Sequence, residues 1–305
     1  MDNCLVDCKQ LTVADRELVE KYLALVDYRL SRYNFINLWM YGDWIPVYYF
    51  IENDIMVLLT FYKEHYFAYM PLCRKEKLSE AFSLIEAMFD KCRLPFIYAG
   101  FEDNMADMIL ERHPNFEKRP YRNSFDYIYN LERFRNFSGK RLQKKRNHLN
   151  AFYRLYPDFI YRDITEVASH ELEAFVEDWY SKRAGELLSY DQVGNFAVLK
   201  NYDKLAAKGG CLIIDGKIQA FIIASLQGRD TVQVNIEKAN ENYRGIYQAM
   251  LREFLRYNFQ TAIYMNREDD LGLENLRQAK MSYGPDLLLG NYRICEKDHH
   301  VGYES

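Results

Sequence analysis

Cys211-Leu-Ile-Ile-Asp-Gly-Lys-Ile-Gln-Ala-Phe-Ile-Ile-Ala-Ser-Leu226, followed after four residues by Thr231-Val-Gln-Val-Asn-Ile-Glu237, is the stretch that decides the fold. Its apolar, β-branched runs are strand-length, over Cys211–Ile214, Ile218–Leu226 and Thr231–Glu237. Asp215-Gly216 is a two-residue hairpin turn, and Gly228-Arg229-Asp230 turns the chain again. Downstream, the pattern predicts a helix from Tyr243 to Tyr257, a strand over Ala262–Asn266, a helix over Leu271–Ser282 and a last strand over Leu287–Ile294. Upstream come a strand over Phe159–Ile164 and a helix capped by Ser169, with Leu172, Phe175, Val176 and Trp179 on one face. A further helix over Phe196–Ala207 is expected to stop at Gly209-Gly210.

The first half repeats this order loosely. Asp15–Leu25 and Ser31–Tyr41 read as helices. Trp44–Glu52, Ile55–Tyr62 and Tyr66–Pro71 read as a meander with an Asn53-Asp54 turn. Lys77–Lys91 and Asn104–Arg112 read as helices, and Pro95–Gly100 and Phe125–Leu131 as strands. The expectation is an α+β chain duplicated in element order, with an N-terminal domain over 1–135, a basic connecting helix over 136–156 and a C-terminal domain over 157–305.

Composition narrows the function. With 305 residues, 49% apolar and 28% charged, the chain is a globular protein rather than a disordered or fibrous one. Forty Lys and Arg against 44 Asp and Glu leave a net charge of −4, so any polyanion must be held by a local patch. No run approaches the ~18 apolar residues of a membrane span, and Met1-Asp2-Asn3-Cys4 lacks the features of a signal peptide. A cytoplasmic chain with six reduced cysteines and no metal site is expected, since Cys4 and Cys8 have no matching second pair. The most basic segment is Ser138-Gly-Lys-Arg-Leu-Gln-Lys-Lys-Arg-Asn-His148. As a helix it fits two roles, a solvated connector or a wall that binds phosphates through Lys140, Lys144, Lys145 and Arg146.

The element order resembles the GNAT acyltransferase fold. The motifs go further. Gly139-Lys-x-Leu-x-Lys-Lys-Arg-Asn-His148, Asn266-Arg-Glu-Asp-Asp-Leu-Gly-Leu-Glu-Asn-Leu-Arg-x-Ala-Lys280 and Ser31-Arg-Tyr-Asn-Phe-x-Asn37 resemble the family named after the C-terminal domain of phosphatidylglycerol lysyltransferase, a tandem GNAT fold akin to Fem-like aminoacyltransferases. The resemblance implies transfer of an aminoacyl group from the 3′ end of aminoacyl-tRNA to a lipid, peptidoglycan-precursor or protein acceptor, without a further cofactor. It also implies peripheral contact with the inner face of the membrane. Acyl-CoA-dependent N-acyl transfer and non-catalytic binding of tRNA or another anion are the alternatives.

In the GNAT fold a CoA pyrophosphate sits on the N-terminus of the helix after the meander. Here Asn242-Tyr-Arg-Gly-Ile-Tyr-Gln248 offers Arg244 and Gly245, but Tyr247 fills the second small position, which disfavours acyl-CoA and leaves room for another phosphate. An ordinary helix start explains the same residues. The equivalent Cys73-Arg-Lys-Glu-Lys-Leu78 has no glycine, so the N-terminal copy is expected to lack a cofactor site. Glu237 is the candidate general base, or else a solvent-facing strand residue. Asn235, two positions earlier, is expected on the same face to orient the acyl carbonyl. Asn266, Arg267 and Glu268 end a strand at the cleft, where Arg267 could hold a phosphate or carboxylate and Glu268 an ammonium, while Asp269 and Asp270 fit helix capping. Tyr283 resembles the tyrosine that protonates the leaving group in GNAT enzymes.

Overall fold

The computed structural model describes residues 8–183 and 185–297. Strand β1 (Lys9–Gln10) and helices α1 (Arg16–Leu23) and α2 (Phe35–Trp39) lead into a meander of β2 (Val47–Glu52), β3 (Ile55–Tyr62) and β4 (His65–Ala68). Asn53 and Asp54 both have positive φ, as a two-residue hairpin requires. Then follow α3 (Leu78–Cys92), β5 (Tyr98–Phe101), α4 (Asp103–Arg112), β6 (Phe116–Pro120), β7 (Asp126–Asn130), α5 (Glu132–Arg135) and α6 (Gln143–Leu155). The second half runs β8 (Ile160–Asp163), α7 (Ser169–Ser181), α8 (Glu186–Lys200), a meander of β9 (Ala207–Ile214), β10 (Lys217–Gln227) and β11 (Thr231–Ala239), then α9 (Ile246–Tyr257), β12 (Tyr264–Asn266), α10 (Glu274–Met281), β13 (Leu287–Leu289) and β14 (Tyr292–Glu296).

These strands build two mixed sheets, β1-β2-β3-β4-β5-β14-β6 and β13-β7-β12-β11-β10-β9-β8. Each contains an antiparallel meander and a parallel strand that returns after a helix, β5 beside β4 and β12 beside β11. Beyond that strand each sheet takes an antiparallel strand from the other half of the sequence, β14 beside β5 and β7 beside β12. The expected α+β duplication is therefore present, but its halves exchange strands. One compact unit runs through Asp126 and takes back residues 269–273 and the chain from Leu289. The other comprises Tyr127–Glu268 and Glu274–Leu288. The simple boundaries 1–135, 136–156 and 157–305 are corrected accordingly. Patterning shows that a strand exists and that both its faces are apolar, as in Tyr127–Tyr129, but not which sheet supplies its backbone partners.

Other expectations change for local reasons. Gly209 and Gly210 lie inside β9 rather than ending a helix. A Cβ on Gly209 would stand 2.6 Å from Ile164 and one on Gly210 2.4 Å from Tyr161, so these glycines let side chains lie flat on the strand. The helix placed over Phe196–Ala207 instead runs over Glu186–Lys200 as α8, starting ~10 residues earlier, and Ser169 is the first residue of α7 with Ala168 as its N-cap. The single last strand splits at Gly290-Asn291 into β13 and β14, one for each sheet. The basic helix begins only at Gln143, because Phe137 and Gly139 have positive φ and turn the chain before it. Cys92 is disulfide-bonded, which overturns the expectation of six thiols. Cys4 lies outside the described residues.

In the second unit, one face of the sheet, carrying Ile222, Ala224, Val232 and Val234, packs with Leu149 and Phe152 of α6 and Ala249, Met250 and Phe254 of α9. The other face meets α7, where Phe175 touches Phe221 edge-on at 6.1 Å. Among the described residues no helix is long and apolar enough to cross a membrane.

Strand exchange has a direct consequence. Residues 1–135 expressed alone lack β14, which lies between β5 and β6. This fragment is expected to show no cooperative thermal transition by circular dichroism. In the full chain, Ile294→Ala in the fully buried centre of β14 should cost about 2–5 kcal/mol in denaturant unfolding.

Candidate active site

The site begins where two strands part. β11 and β12 pair in parallel from Thr231↔Tyr264 to Gln233↔Asn266, and there the ladder ends. β12's backbone stays with β7, since Arg267 N–H donates to Tyr127 O at 3.1 Å and Tyr127 N–H to Glu268 O at 3.2 Å. On the other side β11 has a bulge: Ile236 pairs with Ile223 but Val234 with Ala224, leaving Asn235 as the extra residue.

An ion pair stands at this split. Arg267 donates to Glu237, and their side chains are only 12% and 8% exposed. Burial works most strongly against the Arg267 charge, but Glu237 together with the phenols of Tyr283 and Tyr129 outweighs it and raises the pKa above its ordinary value. One oxygen of Glu237 (Oε1) and one nitrogen of Arg267 (Nη1) are buried with no hydrogen-bond partner. The pair is therefore half-satisfied, an arrangement that costs stability unless a ligand completes it.

Aromatic and polar groups enclose the pair. The Arg267 guanidinium lies 4.9 Å from the centroid of Tyr283, and the ammonium of Lys145 lies 4.1 Å from the same ring. Burial, and after it the Arg267 charge, holds Lys145 below its ordinary pKa. Burial raises the Tyr283 phenol while Arg267 draws it back. Gln248 on α9 donates to the Tyr283 hydroxyl. Lys280 donates to the Arg267 carbonyl, and the Tyr129 hydroxyl donates to the Lys280 carbonyl at 2.9 Å, so two elements fix the backbone beside the pair.

Next to this cluster lies a cavity of about 370 Å³ at the N-terminus of α9, lined by His148, Glu241 and Tyr243–Gln248. Gly245 is the N-cap residue in the left-handed region at φ 86°. A Cβ there would stand 2.1 Å from the carbonyl oxygen of His148, so only glycine lets α6 come this close to α9. First-turn N–H groups beyond Ile246, whose own N–H donates to Tyr243 O at 3.1 Å, and exposed Arg244 give the cavity positive character. Glu241 opposes it but is paired with Arg183 at 3.1 Å. Burial, then Arg244 and Lys145, lowers the pKa of His148. Gln248 joins cavity and cluster, since it lines one and bonds Tyr283 in the other.

The predicted residues thus separate. Glu237, Arg267, Tyr283 and Lys145 come together, with Arg244 and Gly245 at the neighbouring cavity. Lys140 and Lys144 are exposed. Arg146 closes the loop before α6 by donating to the carbonyls of Phe137 at 2.8 Å and Gly139 at 3.4 Å. Asn235 does not share the face of Glu237. Glu237 is opposite Ile222 on the α9 face, whereas Asn235 accepts from the hydroxyl of Ser225, three residues along β10 and hence on the α7 face. Asn266, which is buried, and half-buried Glu268 join it in a polar row: Asn266 Oδ1 accepts from Glu268 N–H at 2.7 Å, and Glu268 accepts from Gln233 at 2.8 Å. Gln233 is fully buried and its Oε1 has no partner. Asp269 and Asp270 close turns onto the N–H groups of Leu271 and Gly272 rather than capping α10. Sequence reasoning missed Gln233 and Gln248. Gln248 was findable, since it stands one helical turn after Gly245.

The family model for the C-terminal part of phosphatidylglycerol lysyltransferase matches residues 23–295. The chain belongs to this family. A conserved protein of unknown function from Bacteroides thetaiotaomicron is similar over 95% of this chain and 99% of its own, at 28% identity and a TM-score of 0.87. The L-PGS structure from Bacillus licheniformis is similar over 94% and 93%, at 16% identity and a TM-score of 0.67. A tandem GNAT protein from the clavulanic acid biosynthesis pathway shares the fold over 94% and 96%, at 9% identity and a TM-score of 0.50. The architecture of this lysyltransferase-family chain is a tandem GNAT fold.

Two outcomes follow from the geometry. Gly245→Ala, strained at its φ and against the His148 carbonyl, should cost at least about 1–3 kcal/mol by chemical denaturation. Glu237→Gln strands the Arg267 charge and should cost about 3–5 kcal/mol, and adding Arg267→Gln should recover part of that loss. Full additivity of the two single changes would show that the pair does not couple.

Proposed function

We propose that the protein transfers an aminoacyl group from aminoacyl-tRNA to an anionic lipid, acting in the cytoplasm against the inner face of the membrane. The observation that carries this reading is the half-satisfied Glu237–Arg267 pair beside the cavity at the start of α9. The cavity suits a phosphate near the tRNA 3′ end, with Gly245 clearing the approach, Arg244 and His148 at its rim, and exposed Lys140 and Lys144 farther along the backbone path. Family membership supports the lipid acceptor.

The chemistry is ester exchange. The acceptor hydroxyl loses its proton to Glu237 Oε1 as its oxygen bonds to the aminoacyl carbonyl carbon. Arg267 Nη1 donates to the oxyanion that develops on the carbonyl oxygen. Collapse breaks the bond to the tRNA 3′ oxygen, which takes a proton from the Tyr283 hydroxyl. Lys145, over the same ring, favours the transient phenolate. On the α7 face, Gln233 and Glu268 offer acceptor oxygens for the ammonium of the aminoacyl group.

The test is transfer of radiolabel from a mixed aminoacyl-tRNA pool into lipid, peptide and protein fractions. Label in lipid is expected, and label confined to peptide or protein would move the acceptor class. Tight binding of CoA by calorimetry, with no label transferred, would replace this reading with acyl-CoA chemistry. Glu237→Gln/Arg267→Gln, folded but without a base, should lose roughly 10²–10⁴-fold in transfer. Lys140→Ala/Lys144→Ala should leave folding intact and flatten the log–log salt slope of tRNA binding by about 1.4.

A further inference from the structure

The motif Ser31-Arg-Tyr-Asn-Phe35 in the first unit is not used by the reaction above. Four of its five residues have structural tasks. The Ser31 hydroxyl donates to Asp126 at 3.0 Å. The Tyr33 hydroxyl donates to the Gly100 carbonyl at 2.7 Å and accepts from Met70 N–H at 2.9 Å. Asn34 caps α2, and Phe35 is buried in the core. Arg32 differs. Its half-buried guanidinium lies 4.7 Å from the centroid of Tyr69 and, among the described residues, makes no hydrogen bond or ion pair. Five donors are thus held in one plane and offered to a ligand.

Space has been cleared for it. Gly100, at φ 77°, is skipped in the pairing of β5 with β14, where Tyr292 faces Phe101 and Arg293 faces Ala99. A Cβ on Gly100 would stand 2.4 Å from Cδ of Arg32, so the bulge lets the arginine cross the strand. Arg293, opposite Ala99, places a second guanidinium 4.7 Å from the centroid of Phe67 and 5.2 Å from that of Tyr121. The two arginines feel each other. Burial, and next the Arg32 charge, lowers Arg293 to about 9, with the phenols of Tyr121, Tyr69 and Tyr62 working the other way. At Arg32 burial is opposed first by Tyr69 and Tyr33 and then by Asp126 and Asp269, which keep its charge. Like charges held together in a half-buried site are stabilised by an anion that touches both.

We propose that Arg32 and Arg293 form a site in the first unit that binds the headgroup phosphodiester of an anionic lipid. This rests on the anionic-lipid reading above. A diester phosphate has two non-bridging oxygens, one for each guanidinium. The surrounding rings of Phe67, Tyr69 and Tyr121 suit its organic arms better than they suit a fully hydrated inorganic ion.

The experiment titrates the full chain with glycerophosphoglycerol, inorganic phosphate and glycerol by calorimetry, with Arg32→Gln and Arg293→Gln as variants. The wild type is expected to bind glycerophosphoglycerol and not glycerol. Each variant should lose roughly 10–100-fold, the loss of one charge-assisted contact. If either variant fails to melt cooperatively, Arg32→Lys or Arg293→Lys replaces it, keeping the charge but losing the fork, with an intermediate loss expected. Equal binding of inorganic phosphate and glycerophosphoglycerol would overturn the diester assignment. Unchanged diester affinity in both folded variants would overturn the site. Lipid labelling in parallel separates this result from the function. Label in lipid with no effect of the arginines defeats only the site, whereas arginine-dependent diester binding without label in any lipid defeats only the acceptor reading.

Discussion

The parting of β11 from β12 after Gln233↔Asn266 is the constraint on which the geometry of the candidate site depends. A parallel ladder that continued would satisfy the backbone and close the sheet. Instead the bulge at Asn235 and the loyalty of Arg267 and Glu268 to β7 leave an opening within the sheet. Side chains must then supply what the ladder no longer does. Glu237 and Arg267 do so across the gap, and their pairing leaves one acceptor and one donor over. Replacing such a pair by apolar residues is often neutral or stabilising, so stability alone does not account for it. The pair instead leaves a buried acceptor and a buried donor prearranged, which is what the proposed reaction requires.

Strand exchange is part of the same construction. β7 comes from the first half of the sequence, yet it is the strand that holds β12 and the backbone of Arg267 in place. The site's geometry is thus set by residues more than a hundred positions apart. Because β14 is given in return, neither half completes its sheet from its own sequence alone. Such a duplication cannot shed one copy without unmaking the other.

Much of this was legible in the sequence because it is local. Meanders are visible through alternation and through turn pairs such as Asn53-Asp54 and Asp215-Gly216, whose positive φ the structure bears out. Glycines were harder to read. Gly209-Gly210 has the composition of a helix stop but serves flat packing beneath Ile164 and Tyr161, a tertiary need with no local mark. Sheet partners of β7 and β14 were hidden for the same reason. In the site, Glu237 and Arg267 were each identifiable as polar residues on strands at a cleft, but their ion pair was not, since it joins residues thirty positions apart. Asn235 was misplaced because counting by twos assumes an unbroken ladder, and one bulged residue turns the side chain to the other face.

That bulge also bears on how two substrates could meet. A regular sheet separates its faces completely, and a group bound on one side has no route to the other. Here the α9 face carries the anion-suited cavity with Glu237 and Tyr283, and the α7 face carries the polar row of Ser225, Gln233, Asn235 and Glu268. The end of the β11–β12 ladder lies between the two sets. Asn235 and Glu237 flank it from β11, Arg267 and Glu268 from the end of β12, and each strand sends one of its two residues to either side. Arg267 and Glu268 are adjacent and diverge by default, whereas on β11 it is the bulge at Asn235 that sends Asn235 and Glu237 to opposite faces. On the reading proposed above, a donor on the first face and an ammonium on the second would meet where the strands part, beside the half-satisfied pair.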